Sequence, residues 1–214
     1  MAEEDVTLYY SIASQSFTAL WLLEELGIPY RLEERDIRTK QNETPEFLAI
    51  NPMGIVPVLK IGSMIVSETP AICIYLADRY SYGALAPKID DPARGDYLKW
   101  MVFTTAVLDP VVFLNGAQIT FPAGRTAHWG GNWGSFDKVV KLMATVLENR
   151  PYLLGDRFSA ADVVLGGAIT VRLFTKMLPA EPALVRYNER LMDRPAYKRA
   201  GDITWPASVF PRTT

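Results

Sequence analysis

The sequence predicts two domains of different class, an α/β domain built on a four-stranded mixed sheet and then an all-α helical bundle. Three observations predict it. Short β-branched and aromatic runs alternate with helical periodicities as far as Tyr80. Gly, Pro and small polar residues gather between Ser81 and Asp91, as they do in linkers. From Pro92 onward, apolar residues recur at helical spacing alone. The expected boundaries are residues 1–81, a linker at 82–91, and residues 92–214.

Val6 to Tyr10 is a β-branched and aromatic run suited to a buried strand. Phe17, Leu20, Trp21, Leu23 and Leu26 then share one face of a helix, opposite Glu24 and Glu25, and Gly27 supplies the stop. Pro29 ends that helix, and Tyr30 to Ile37 reads as a second strand, which makes a parallel strand, helix, strand unit. A polar loop, Arg38 to Thr44, leads to a short helical piece at Pro45 to Ala49. Val56 to Lys60 and Met64 to Val66 flank Ile61-Gly62-Ser63 as a hairpin. Thr69 to Tyr80 closes the domain as a helix, and this element order is the thioredoxin-like one. In the second domain, Tyr97, Trp100, Met101, Thr104 and Leu108 line one face of a long helix from Pro92 to about Val111. Gly116 to Gly134 reads as loop or broken helix, Phe136 to Leu147 as helix, and Ser159-Ala160-Ala161-Asp162 as a reciprocal helix cap. Ala183 to Met192 and a short turn near Pro195 to Arg199 complete the bundle.

The 214 residues suffice for a sizeable core. With 49% hydrophobic and 21% charged residues, and 22 Lys+Arg against 24 Asp+Glu, the chain is neither disordered nor polarised. No basic run exists to displace phosphate counterions, so a nucleic-acid partner is not expected. The acidic start, Met1 to Asp5, lacks the features of a secretory signal. No stretch approaches the roughly 20 apolar residues of a membrane span, because Thr104, Thr105, Asp109 and Pro110 interrupt Val102 to Leu114. A soluble, cytoplasmic protein with no membrane partner is expected. Cys73 and His128 are the single cysteine and histidine, which excludes an intrachain disulfide and argues against a zinc site. Cys73 sits on an apolar helical face and reads as a core residue, and His128 beside Trp129 as structural or incidental.

Several stretches together resemble the cytosolic glutathione transferases, in particular bacterial, serine-type, theta- and beta-like members. Glu46-Phe47-Leu48-Ala49-Ile50-Asn51-Pro52-Met53-Gly54-Ile55-Val56-Pro57-Val58-Leu59, followed by Ser67-Glu68-Thr69-Pro70-Ala71-Ile72, is similar to the family's glutathione-binding core. Leu20 to Tyr30 is similar to its first helix, Tyr152 to Asp162 to its capping motif, and Arg194-Pro195-Ala196-Tyr197 to its usual ending. The resemblance implies glutathione as co-substrate, a second-substrate pocket in the helical domain, a role in detoxification, and a homodimer in which the first domain of each subunit meets the helices of the other.

Glutathione's thiol is a poor nucleophile until ionised, so such an enzyme must stabilise the thiolate beside an electrophile. A hydroxyl donor near a helix N-terminus does this, and Ser11, Ser14 and Ser16 all lie between the first strand and first helix. By position after Tyr9-Tyr10, Ser14 best matches the family's catalytic serine, with Ser16 next and Ser11 last. A plainer role for Ser14 or Ser16 is to cap the helix. No cysteine stands at this helix start, which disfavours disulfide exchange. The family implies that Pro57 follows a cis bond and that Val56 pairs with the tripeptide backbone. It also implies that Glu68 and Thr69 hold the γ-glutamyl end, Thr69 serving as N-cap as well. Lys40 or Asn42 would meet the glycine carboxylate. For the second substrate, Trp100, Phe103, Thr104 and Val107 would face Ile12 and Ser14, with Trp205 and Phe210 as a lid, although an aromatic stripe also makes ordinary core.

Overall fold

The structure is a computed structural model that describes residues 5–119 and 135–206. His128, Trp129 and Phe210 lie outside the described residues. Contacts divide the chain into one unit of Met1–Ala86 with Met192–Thr214 and another of Pro87–Leu191.

In the first unit, β1 (Val6–Tyr10), β2 (Arg31–Glu34), β3 (Val58–Ile61) and β4 (Met64–Ser67) form a mixed sheet of order β2-β1-β3-β4. β1 runs parallel to β2 and antiparallel to β3, and β3 is antiparallel to β4. β1 is central and almost wholly buried, whereas edge strand β2 exposes Arg31, Glu33 and Glu34, charges that discourage pairing with another chain. β2 stops short of the expected Ile37. Asp36 ends it by accepting the Arg38 N–H at 2.9 Å and opening a 3-10 turn, Ile37–Thr39. Helix α1 (Ser16–Leu26) is stopped by Gly27, whose φ of 62° lets its N–H reach the Leu23 carbonyl at 3.1 Å. Helices α2 (Pro45–Leu48) and α3 (Thr69–Tyr80) complete the expected order.

The C-terminal segment departs from expectation. It forms a ten-residue helix, α9 (Pro195–Thr204), in place of a short turn, and it packs on α1 in the first unit. The inward positions Ala196, Ala200 and Thr204 do recur at helical spacing, but they are small residues, which are easily passed over beside the large apolar stripes of the other helices. Tyr197 sets its ring edge-on to Phe17 and Trp21, each at 5.0 Å, and Arg194 grips Glu25 in a fork at 2.6 and 2.7 Å.

The second unit begins with α4 (Arg94–Phe103), a π-helical turn (Thr104–Leu108) and α5 (Asp109–Gly116), which run on as one 23-residue helix. The turn reconciles Pro110 with helix. Proline has no N–H for the fourth carbonyl back and its ring crowds that carbonyl, and here Asp109 N–H reaches five residues back to Thr104. By length and composition this helix would suffice to cross a membrane, since Asp109 and Pro110 do not interrupt it as the sequence suggests. Its inner face, Tyr97, Trp100, Met101, Thr104, Leu108 and Val112, is buried in the protein.

Helices α6 (Phe136–Leu147), α7 (Ala160–Phe174) and α8 (Pro182–Met192) follow. The expected cap on α7 is present. Buried Asp162 accepts N–H bonds from Leu153 at 2.8 Å and Ser159 at 2.9 Å, and hydroxyl bonds from Ser159 at 3.1 Å and Tyr187 at 2.9 Å. Burial outweighs these donors and pushes its carboxyl up to about 6. Gly166 of α7 lets α8 close in, since a Cβ there would lie 2.2 Å from a Leu191 methyl.

Candidate functional site

Strand register gathers three segments at one end of the sheet. Tyr9 pairs with Val58, and Val58 pairs with Ser67. The turn after β1, the approach to β3 and the start of α3 therefore lie together. With strands about 4.8 Å apart, β1 and β4 are roughly 10 Å from each other, the reach of an extended tripeptide at about 3.4 Å per residue.

The turn after β1 carries the three serines. Ser11 and Ser16 are fully buried, while Ser14 is partly exposed. Ser11 Oγ accepts the Ile37 N–H at 3.4 Å, which ties the turn to the polar loop. Ser16 Oγ accepts the Ser11 N–H at 3.4 Å. Ser14 Oγ accepts the Ser16 N–H at 3.1 Å and lies 2.7 Å from the Ser11 carbonyl and 2.8 Å from Ser16 Oγ. The formal N-cap position of α1 belongs to Gln15, whose side chain makes no capping bond, but Ser14 Oγ takes the Ser16 N–H, so Ser14 does the capping that the plainer reading expected and Ser16 does not. Ser14, a partly exposed residue, serves the N–H of the first helical residue at the positive end of α1. Accessibility thus favours Ser14 over Ser16 and Ser11.

Ala13, which the sequence reading passed over, shapes this turn. It is left-handed at φ 56°, and its N–H donates to the Thr204 carbonyl of α9 at 2.9 Å. Nothing local in the sequence signals a partner so distant.

The Val56–Pro57 bond is cis, as the resemblance implied. The segment before it is pinned from below by Phe47, which packs with Tyr9 and Val58 and beneath Ile50 and Val56. Asn51, also passed over, folds the turn: its side chain donates to the Ile55 carbonyl at 2.9 Å and accepts the Met53 N–H at 3.3 Å. The Asn51-Pro52 dipeptide is the signal that could have found it. Gly54 is left-handed at φ 62°, and a Cβ there would lie 3.0 Å from the Asn42 carbonyl. Asn42 Nδ2 donates to the Gly54 carbonyl at 2.6 Å, and its Oδ1 is buried without a partner. That side chain holds the loop, and its remaining acceptor does not suit a carboxylate. Lys40 is exposed and pairs loosely with Glu43 at 3.5 Å, so its charge is the more available one.

Glu68 stands at the N-cap position of α3 with φ 68° and ψ 117°, a conformation that costs a non-glycine residue on the order of 1–3 kcal/mol. Such strain collects at ligand-binding positions. Thr69 is the first residue of the helix and not its cap, because Glu68 occupies that place. Glu68 is exposed beside the first turn of α3, where the backbone N–H groups are those of Thr69 and Ala71, since Pro70 has none and that of Ile72 bonds the Glu68 carbonyl at 2.9 Å.

Of the residues expected at the second substrate, Ile12 and Val107 are partly exposed, while Trp100, Phe103 and Thr104 are buried. Trp100 and Phe103 meet edge-on at 5.0 Å. Thr104 Oγ1 is buried without a partner at the head of the π turn. Cys73 is fully buried and burial pushes its thiol up, so it is no nucleophile. A cavity of about 700 Å³ between α6 and α8, lined by Val140, Lys141, Glu148, Pro182 and Arg186 among others, involves none of these residues.

The chain matches the family model described as glutathione S-transferase, N-terminal domain, over residues 4–78, and the corresponding C-terminal domain over 134–195. It is 31% identical to the glutathione S-transferase GstB of Escherichia coli (strain K12), over 84% of this chain and 89% of that protein. It is 26% identical to the glutathione S-transferase theta-2 of Mus musculus, over 86% and 79%. Among solved structures, a glutathione transferase from Methylococcus capsulatus (strain Bath) superposes with a TM-score of 0.76 at 26% identity, covering 93% of this chain and 98% of that one.

Proposed function

Since the chain belongs to the glutathione S-transferase family, we propose that it takes glutathione as co-substrate and activates the thiol as thiolate, through Ser14, for attack on an apolar electrophile. One observation carries the choice of Ser14: it alone of the three serines in the turn is accessible, and it sits at the N-terminus of α1. Lowering a thiol pKa by about two units takes roughly 2.7 kcal/mol of preference for the anion, within the combined reach of one charge-assisted hydrogen bond and a helix end.

The tripeptide lies across the end of the sheet with its backbone paired at Val56. Glu68 and the first turn of α3, including Thr69, receive the ammonium and carboxylate of the γ-glutamyl end. Lys40 serves the glycine carboxylate better than Asn42, whose amide is committed to Gly54. Val107, the partly exposed apolar residue of the expected set in the helical unit, contributes to the electrophile's surroundings. Two copies form a homodimer, and Leu98 and Val102, apolar and exposed one helical turn apart on α4, support this. The reading places the protein in the cytoplasm, in detoxification.

The test is glutathione conjugation to a generic aromatic electrophile by wild type and Ser14→Ala. A fall in rate of about 10²-fold or more supports the assignment, and equal rates remove Ser14 from the mechanism. Passage through a glutathione column unretained would leave the fold as a binding module. Sedimentation at micromolar concentration that shows only a 23.9 kDa species would refute the dimer.

A further inference from the structure

We infer that Ser16 is a positioning residue for this reaction: its buried hydroxyl saturates the oxygen of Ser14, so that Ser14 can only donate toward the glutathione sulfur. The inference rests on Ser14 as the thiolate partner. Ser16 is fully buried, and its Oγ already accepts the Ser11 N–H at 3.4 Å. Ser14 Oγ and Ser16 Oγ lie 2.8 Å apart, a contact that either hydroxyl can donate; Ser14 has one proton, and with that proton on the Ser11 carbonyl at 2.7 Å the hydrogen between the two hydroxyls comes from Ser16. Ser14 Oγ also accepts the Ser16 N–H at 3.1 Å.

A hydroxyl oxygen has two lone pairs and one proton. Both lone pairs of Ser14 are then held by Ser16, and only the Ser14 proton is free to turn. Without ligand it points to the Ser11 carbonyl at 2.7 Å. A sulfur anion competes for it, because hydrogen bonds to an ionised acceptor are roughly twice as strong as neutral ones. A neutral thiol gains far less, since its S–H finds no open lone pair on Ser14. The result is a one-way chain, Ser11 N–H to Ser16 O–H to Ser14 O–H to sulfur, in which each bond polarises the next. Selectivity for the anion thus comes from two serines, one of which never touches the sulfur.

The test is a titration of the thiolate absorbance of bound glutathione in wild type, Ser14→Ala, Ser16→Ala and the double variant. S-methylglutathione, which has no thiol proton, reports whether the pocket is intact. Ser16→Ala should raise the pKa of the bound thiol by roughly half to one pH unit while holding S-methylglutathione within about twofold of wild type. In the Ser14→Ala background it should add nothing, because the chain is already cut. A wild-type pKa in Ser16→Ala overturns the inference, and so does an equal further rise in the double variant. S-methylglutathione affinity lost in step with the pKa also overturns it, since that marks collapse of the turn. If Ser14→Ala itself leaves the thiol pKa unchanged, the Ser14 reading fails and Ser16 falls with it. Should Ser16→Ala not fold, Ser16→Cys, whose S–H is a weak donor, carries the same measurement.

Discussion

Ala13 and Thr204, from opposite ends of the chain, are joined by a backbone hydrogen bond of 2.9 Å from the Ala13 N–H to the Thr204 carbonyl. Thr204 is fully buried and closes the last turn of α9. The turn that carries Ser14 is therefore held by α1 on one side and by the end of the final helix on the other.

A side chain that resists the left-handed region tests this hold. Ala13 sits at φ 56°, where a β-branched residue is a marked outlier. Ala13→Val should cost about 1–2 kcal/mol in urea unfolding and lower conjugation by disturbing Ser14, whereas Ala13→Gly should stay within about 0.5 kcal/mol of wild type. Equal midpoints for wild type and the valine variant would show that the turn is not constrained.

Gly54 faces two constraints, a φ of 62° and the Asn42 carbonyl 3.0 Å from its would-be Cβ. Gly54→Ala should lose about 1–3 kcal/mol and raise KM for glutathione with a smaller effect on kcat, because the displaced segment leads to Val56 and not to Ser14. A change in kcat alone would contradict that placement.

Lys40 and Asn42 separate by salt and by stability. Lys40→Met should leave Tm within about 1 °C and weaken glutathione binding by an amount that shrinks from low to high ionic strength, as expected of an exposed charge. Asn42→Ala should instead lower Tm, since it frees the Gly54 carbonyl, and its effect should not depend on salt. Calorimetric titration at two salt concentrations distinguishes them.

Asp162 gives a pH dependence of known sign. Its carboxyl is raised from 3.8 to about 6 by burial, so the folded state holds this proton more tightly than the unfolded chain does. The stability it contributes is fully present below the unfolded pKa and is lost as pH rises through about 6. Asp162→Asn should lose about 2–4 kcal/mol, because its NH₂ meets donors from Leu153 and Ser159. Its deficit against wild type should be larger at pH 4.5 than at pH 7, both roughly placed to bracket the titration. Urea midpoints at the two pH values that show the opposite order would reject this account.

The pair Glu25 and Arg194 measures how firmly α9 is fixed to α1. Glu25 is the more buried partner and also accepts from Trp21 Nε1 at 2.9 Å. Glu25→Gln should destabilise by about 1–3 kcal/mol through the half-buried guanidinium it leaves, and Arg194→Met should recover part of that loss in the double variant. Strict additivity would mean the fork contributes nothing.

Much of this molecule was legible locally. Strand runs, the Gly27 stop, the cap at Ser159–Asp162 and the stripe from Tyr97 to Leu108 are written in spacing, because an element's own period decides which side chains face inward. The family's motif at Glu46 to Leu59 pointed to the cis bond at Val56–Pro57. Long-range geometry was not legible. The sequence offers three serines within six positions, and their order of merit depends on burial, which is set by the loop that Ile37 brings across and by α9. The helix expected to end near Val111 runs on to Gly116, because a π turn lets the backbone reach one residue further just before Pro110. The sequence by itself determined the class of fold, the family and the set of candidate residues, since these follow from local chemistry and periodicity. Tertiary structure alone decided which hydroxyl stays open and which end of the chain holds it, because exposure and backbone pairing between distant segments depend on where the whole chain packs.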